Sequence, residues 1–185
     1  MRVPLSEMRD KYLASVPVMD DAERLLCHLS KLEDCFVTLD AFCCVHVDKE
    51  DLNLRVVRIN DLFAIARIAS GEVEKLISQN PSHLEPAERK LWARINLSVE
   101  ALAESKNVDH SPQPMLDLLY FSVLCLKNRR KGRDSLSGID KSLLESECYK
   151  RVAKEFPQPI VDSPEDELVQ NLTSNLDAEL TTLNA

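Results

Sequence analysis

Two heptad patterns follow one another in the first eighty residues, and they constrain the fold more than any other feature. The first consists of Ala22, Leu25, Leu29, Leu32, Phe36, Leu39, Cys43 and His46. The second consists of Leu52, Val56, Ile59, Phe63, Ala66, Ser70, Val73 and Ile77. Spacing that alternates between three and four residues keeps a mostly apolar stripe on one side of an α-helix. We therefore predict two long helices, over 20–46 and 52–79, which the short link at 47–50 folds back on each other.

Shorter apolar patterns predict the remaining helices. We expect them at 4–14, at 86–106 with Pro86 in its first turn, from Pro114 into the basic residues before Gly132, at 140–156, and after Ser163 and Pro164. Residues 115–126 are apolar on nearly every side, which predicts that this helix lies at the centre of the bundle. The helix over 52–79 carries a second apolar stripe (Leu62, Ile65, Ala69 and Leu76), so it should contact more than one neighbour. Gly71 is its expected weak point.

Composition agrees with a helical fold. The chain has 185 residues, only three glycines and 5% aromatic residues, which argues against a β-rich fold with many turns. We predict an all-α, antiparallel helical bundle of about six helices, built on a long helical hairpin, with an acidic C-terminal tail. The predicted division is a helical bundle domain at 1–156 and an acidic tail, with an amphipathic helix, at 157–185.

The tail carries most of the net charge. Six of its residues are acidic and none is Lys or Arg, so it accounts for −6 of the formal charge of −8. Its apolar residues recur at helical spacing: Leu168, Val169, Leu172, Leu176 and Leu180. This acidic amphipathic helix either docks on its own body or folds on a partner, and these five residues are the predicted partner-binding face.

A basic segment lies at the end of the helix that starts at Pro114. Five of its seven residues are positively charged: Lys127, Arg129, Arg130, Lys131 and Arg133. Basic residues in a last turn offset the negative end of the helix dipole, which is the structural interpretation. The functional interpretations are contact with nucleic acid, a nuclear import signal, or contact with an acidic partner such as the tail.

No motif predicts catalysis, a cofactor or a metal. Cys43 and His46 lie three residues apart on a predicted helix, but they supply only half of a zinc site. Asp109, His110 and Ser111 are adjacent, and neighbours in sequence do not align as a catalytic triad. We therefore predict a non-enzymatic protein with no catalytic, cofactor-binding or metal-binding residues.

The cysteines and the hydropathy indicate where the chain resides. Without an apolar signal region, the six cysteines are expected to be reduced thiols in an intracellular protein, cytoplasmic or nuclear. No stretch is long and apolar enough to predict membrane insertion.

The helical surfaces and the tail together suggest a function. We expect a protein–protein interaction subunit or adaptor of a macromolecular complex, which binds a protein partner or a second copy of itself through helical surfaces. The alternative is a nucleic-acid-binding or regulatory helical protein that uses the basic segment.

Overall fold

The computed structural model of the protein describes residues 3–44, 52–104, 113–130, 150 and 165–184. These residues form six α-helices and no strand, so the predicted all-α bundle is confirmed. The helices are α1 (Leu5–Ser15), α2 (Asp21–Cys44), α3 (Leu52–Gln79), α4 (Pro86–Glu104), α5 (Gln113–Arg130) and α6 (Glu165–Asn184), with a short 3-10 turn at Pro81–His83. Nearly all of the helix predicted at 140–156 lies outside the described residues, as do His46 and Asp109–Ser111.

The long hairpin of α2 and α3 is the frame of the bundle. The apolar stripe of α2 is buried as predicted, at Leu25, Leu29, Leu32, Phe36 and Leu39. Helix α1 contacts both helices of the hairpin: Tyr12 meets His28 in the first third of α2, and Arg9 meets Glu72 in the last third of α3. The two helices therefore run in opposite directions.

Among the described helices, α3 packs against α1, α2 and α4. Both of its predicted apolar stripes contribute to the core, through Ala66 and Val73 on one and Ala69 and Leu76 on the other. The helix continues through Gly71, which is exposed and has open space where a Cβ would lie.

Helix α5 lies at the centre, as its apolar composition predicted. Its buried side chains cover nearly the whole circumference: Met115, Leu116, Asp117, Leu118, Leu119, Phe121, Ser122, Val123, Cys125 and Leu126. It packs against α2, α4 and α6. A helix surrounded in this way can place few side chains in solvent, so its polar groups need partners within the protein.

Helix α6 packs against α4 and α5. Val169, Leu172 and Leu176 are buried, and Leu180 is partly buried against the same core. An ion pair between Arg94 and Asp177 joins α6 to α4. Of the two states expected for the tail helix, the structure has the one docked on its own body. These apolar side chains, predicted to bind a partner, contact the protein's own core here; the side chain of Leu168 lies outside the described set.

Among the described residues, no helix is both long enough and apolar enough to span a membrane.

Candidate functional site

The described side chains of the basic segment are engaged within the protein. Lys127 forms an ion pair with Glu33 of α2. Arg129 and Arg130 both pair with Glu88 of α4, at 3.1 and 2.7 Å. These three described side chains therefore form ion pairs with carboxylates of α2 and α4. Lys131 and Arg133, the other two predicted contacts, lie outside the described residues.

Glu88 connects the end of α5 to the start of α4. Its carboxylate is fully buried. Besides the two guanidinium groups, it contacts the backbone N–H of Glu85, which donates a hydrogen bond to it at 3.1 Å. Pro86 begins α4, so Glu88 is the third helical residue and satisfies a backbone N–H at the helix start, as in a capping box. The side chain of Arg129 is only 6% exposed. This buried cluster joins two helices and leaves little charge for a ligand.

Metal-ligating side chains do not cluster in the described part of the chain: no three His, Cys, Asp or Glu residues are placed to hold an ion there. Cys35 is buried, and burial raises the pKa of its thiol to about 12, with the charge of Asp34 adding to the effect. A thiol in this environment stays protonated at neutral pH, which does not suit a nucleophile or a metal ligand. The side chain of Cys43 and all of His46 lie outside the described set.

A buried polar pair holds α1 against the hairpin. The Tyr12 hydroxyl lies 2.6 Å from Nδ1 of His28, and the two rings stack with centroids 5.6 Å apart. His28 is 1% exposed, and its other ring nitrogen, Nε2, has no hydrogen-bond partner among the described residues. On α3, the carboxylate of Glu72 accepts hydrogen bonds from Arg9 of α1 at 3.2 Å and from Lys75 of its own helix at 2.9 Å.

Burial dominates the protonation of this pair. It lowers the pKa of His28; the Glu72 carboxylate opposes this shift and the Arg24 guanidinium adds to it. It also raises the pKa of Tyr12 far above its ordinary value. Desolvation acts to raise the pKa of Glu72, but the hydrogen bonds and charges of Lys75 and Arg9 outweigh it, and the net shift is downward. At neutral pH the cluster therefore contains a neutral imidazole, a neutral phenol and a carboxylate.

A groove lies between the first turns of α1 and the middle of α3. Its volume is about 270 Å³, and its lining combines six apolar residues with three polar ones: Val3, Leu5, Met8, Phe63, Ala64 and Ala103, and Asn60, Asp61 and Arg67. Leu5 is 53% exposed although it is a large apolar residue. We name this the α1–α3 groove.

The charges of the α1–α3 groove are unbalanced. Arg67 is neutralised by Glu100 of α4, with a closest N–O distance of 2.8 Å. Asp61 is partly buried and has no cationic partner among the described residues. Neither the groove nor the Tyr12–His28 pair was predicted, because α1 meets α2 and α3 only through contacts between residues distant in sequence. The one available signal was the polar His28 beside the apolar stripe of α2.

Comparison with known proteins supplied no relative: no family model, curated protein or solved structure matches the chain.

Proposed function

We propose that this protein is a non-enzymatic interaction subunit that binds a segment of a partner protein in the α1–α3 groove. The observation that carries the proposal is the groove itself, where apolar side chains remain accessible at the edge of an otherwise well-buried core. Apolar surface that a fold leaves uncovered in a concave site is typical of binding surfaces.

The size of the groove favours side chains of a peptide over a cofactor. Pockets for drug-sized ligands and cofactors have volumes of about 300–1,000 Å³. At about 270 Å³ the α1–α3 groove falls below that range. A short apolar segment, which needs to bury only one or two anchor side chains, fits better.

The charge of the groove indicates a basic residue in that segment. Asp61 offers a carboxylate without a cationic partner among the described residues, whereas Arg67 is already paired with Glu100. A Lys or Arg next to the apolar anchors would pair with Asp61, and an acidic residue there would be repelled. We therefore expect the occupant to be an apolar segment that carries a basic side chain.

Peptide selection on the full chain tests this proposal. A library of random twelve-residue peptides is selected on the immobilised protein, and the dissociation constants of the enriched peptides are measured. We expect enriched sequences to combine large apolar residues with Lys or Arg. Leu5→Ser should weaken their binding about tenfold, because it removes about 1–2 kcal/mol of apolar burial. Asp61→Asn should weaken it about two- to fivefold, as expected for a partly exposed ion pair.

Leu97→Ser is the matched control. Leu97 is as exposed as Leu5, at 50%, but lies on α4 and does not line the groove. Its substitution should leave peptide affinity unchanged. Selection that enriches no sequence, or peptides that bind the Leu5 and Asp61 variants as tightly as the natural chain, would overturn the proposed function.

A further inference from the structure

We propose that protonation of His28 releases α1 from the hairpin and thereby removes one wall of the α1–α3 groove, so that the groove is intact near neutral pH and lost on mild acidification. Release of α1 stands on the geometry of the Tyr12–His28 pair alone. Its consequence for a partner rests on the proposed function.

Helix α1 depends on docking for its structure. It has eleven residues, Pro4 gives it no side-chain cap, and Tyr12 is its only buried residue. Isolated helices of this length are marginal in water. Met8 and Val16 add partly buried contacts to the core, and the Arg9–Glu72 ion pair is half exposed on the arginine side. The contacts made by Tyr12 therefore supply a large share of the docking free energy.

Protonation of His28 is incompatible with this packing. In the neutral ring, Nδ1 is satisfied by the Tyr12 hydroxyl and Nε2 has no partner among the described residues. The imidazolium donates through both nitrogens: Nδ1 can then no longer accept from the Tyr12 hydroxyl, and the new positive charge lies in a buried site where Nε2–H has no described acceptor. When α1 leaves, the side chain that covers the ring leaves with it and water can solvate the cation. Acid therefore favours the undocked state.

The charged groups around His28 do not remove this preference. Glu72 of α3 favours the cation, but Arg9 and Lys75 both pair with its carboxylate, and Arg24 of α2 opposes the cation. Tyr12 of α1 is a neutral hydrogen-bond partner. Helix α5 also packs on α2, and the ion pair described between them, Lys127 with Glu33, lies five residues beyond His28.

The direction and the pH range follow from linkage. Because the docked state binds the proton more weakly, docking is fully stable above the ordinary histidine pKa of about 6.5 and weakens as the pH falls below it. Because one proton is taken up, the equilibrium constant between undocked and docked α1 rises by at most tenfold for each pH unit. Glu72 remains ionised down to pH 5.5, since its pKa is lowered, and Tyr12 remains neutral. Within this cluster, His28 is thus the side chain expected to change its protonation between pH 7.5 and 5.5.

The groove shares its wall with this helix. Val3, Leu5 and Met8 line it, and Met8 lies one helical turn before Tyr12. Undocking of α1 would remove the wall that these three residues form. A peptide bound in the groove should therefore dissociate as His28 is protonated, and a bound peptide should in turn hold α1 in place.

Hydrogen exchange of the full chain, measured by mass spectrometry from pH 7.5 to 5.5 and corrected for intrinsic rates, tests the release. We expect the protection factors of the backbone amides in residues 5–15, relative to those in α4, to fall by up to tenfold per pH unit below about pH 6.5. His28→Gln is the matched variant, since it cannot titrate in this range but retains an amide that can accept from Tyr12. Because only His28 controls docking in this proposal, α1 protection in the variant should be independent of pH although the other three histidines remain in it.

Three results would overturn the inference: unchanged α1 protection in the natural chain, an equal loss of protection in α4, or the same pH response in His28→Gln. If that variant does not fold, the natural chain is titrated with acid and followed by NMR. The chemical shifts of the α1 amides should then change with the same midpoint pH as the signals of the His28 ring. A peptide selected on the groove should bind more weakly at pH 5.5 to the natural chain but not to His28→Gln. Release of α1 with unchanged peptide affinity would refute the link to the groove, whereas failure to select any peptide refutes the proposed function alone.

Discussion

Glu88→Gln should be one of the most destabilising single substitutions in this protein that changes almost no volume. The carboxylate of Glu88 is fully buried, and two guanidinium groups converge on one of its oxygens at 3.1 and 2.7 Å. Removing one partner of a buried ion pair costs about 3–5 kcal/mol, because the opposite charge stays buried. Arg130 is a quarter exposed, so water can solvate part of its charge, and the glutamine oxygen can still accept hydrogen bonds from the guanidinium groups although it carries no charge. We therefore expect a loss of about 3 kcal/mol in the free energy of unfolding.

Glu85→Gln is the control for this prediction. Glu85 also pairs with Arg129, at 3.2 Å, but its side chain is 62% exposed. Exposed ion pairs contribute about 0–1 kcal/mol, so this variant should resemble the natural chain. The two substitutions make the same chemical change three residues apart, and burial is the main difference between them.

Urea unfolding followed by circular dichroism at 222 nm measures both variants. With a typical slope of about 1–3 kcal/mol per molar urea, the loss in Glu88→Gln lowers the midpoint by roughly 1 M or more. The slope itself should not change if the native fold is retained. A Glu88→Gln midpoint within the error of the Glu85→Gln midpoint would refute the argument, because the buried cluster would then contribute no more than a surface pair.

Other expectations follow from single contacts. Leu172→Ala should lower the free energy of unfolding by about 2–5 kcal/mol, because the side chain is buried against the other helices. Leu183→Ala, at an exposed position of the same helix, should lower it by less than about 0.5 kcal/mol. Thermal denaturation compares the two variants, and equal melting temperatures would show that α6 does not dock. Gly71→Ala should stabilise the chain by about 0.5–1 kcal/mol in urea unfolding, since the helix is continuous there and the new methyl group meets open space; a loss of stability would contradict this. Cys35, whose pKa is raised to about 12, should resist iodoacetamide at pH 8 until urea unfolds the protein, as mass spectrometry of the labelled peptides would reveal. Fluorescence anisotropy with a labelled single-stranded RNA of about twenty nucleotides in 50 mM salt should detect no binding, because the described basic-segment side chains already pair with carboxylates; salt-sensitive binding would revive the nucleic-acid alternative.

Local periodicity predicted most of the helical framework. The predicted end of the third helix before Asn80 matches the end of α3 at Gln79, and the predicted start at Pro86 matches α4. Leu25, Leu29, Leu32, Phe36 and Leu39 are buried as their spacing indicated. Such features can be read from sequence because the residues that determine them lie within one or two helical turns of one another.

The contacts of the candidate site could not be read in this way. Arg130 meets Glu88 across 42 positions, and Tyr12 meets His28 across 16. Charge clustering at 127–133 left open both a helix-dipole role and a ligand-contacting patch, whereas the fold turns its described members towards Glu33 and Glu88. No local pattern distinguishes a basic side chain that faces solvent from one that faces a carboxylate on another helix.

The tail helix shows the same division between sequence and tertiary structure. Its sequence determined that a helix forms and which of its faces is apolar, since both depend on neighbours three and four residues apart. Whether that face covers the protein's own core or a partner depends on which other surface lies opposite to it. The structure places α4 and α5 there, so Val169, Leu172 and Leu176 complete the core. It leaves the first turns of α1 with an open groove beside α3. Sequence thus determined the helices and their apolar faces, and tertiary packing alone decided which faces are covered, because coverage is a property of pairs of distant surfaces.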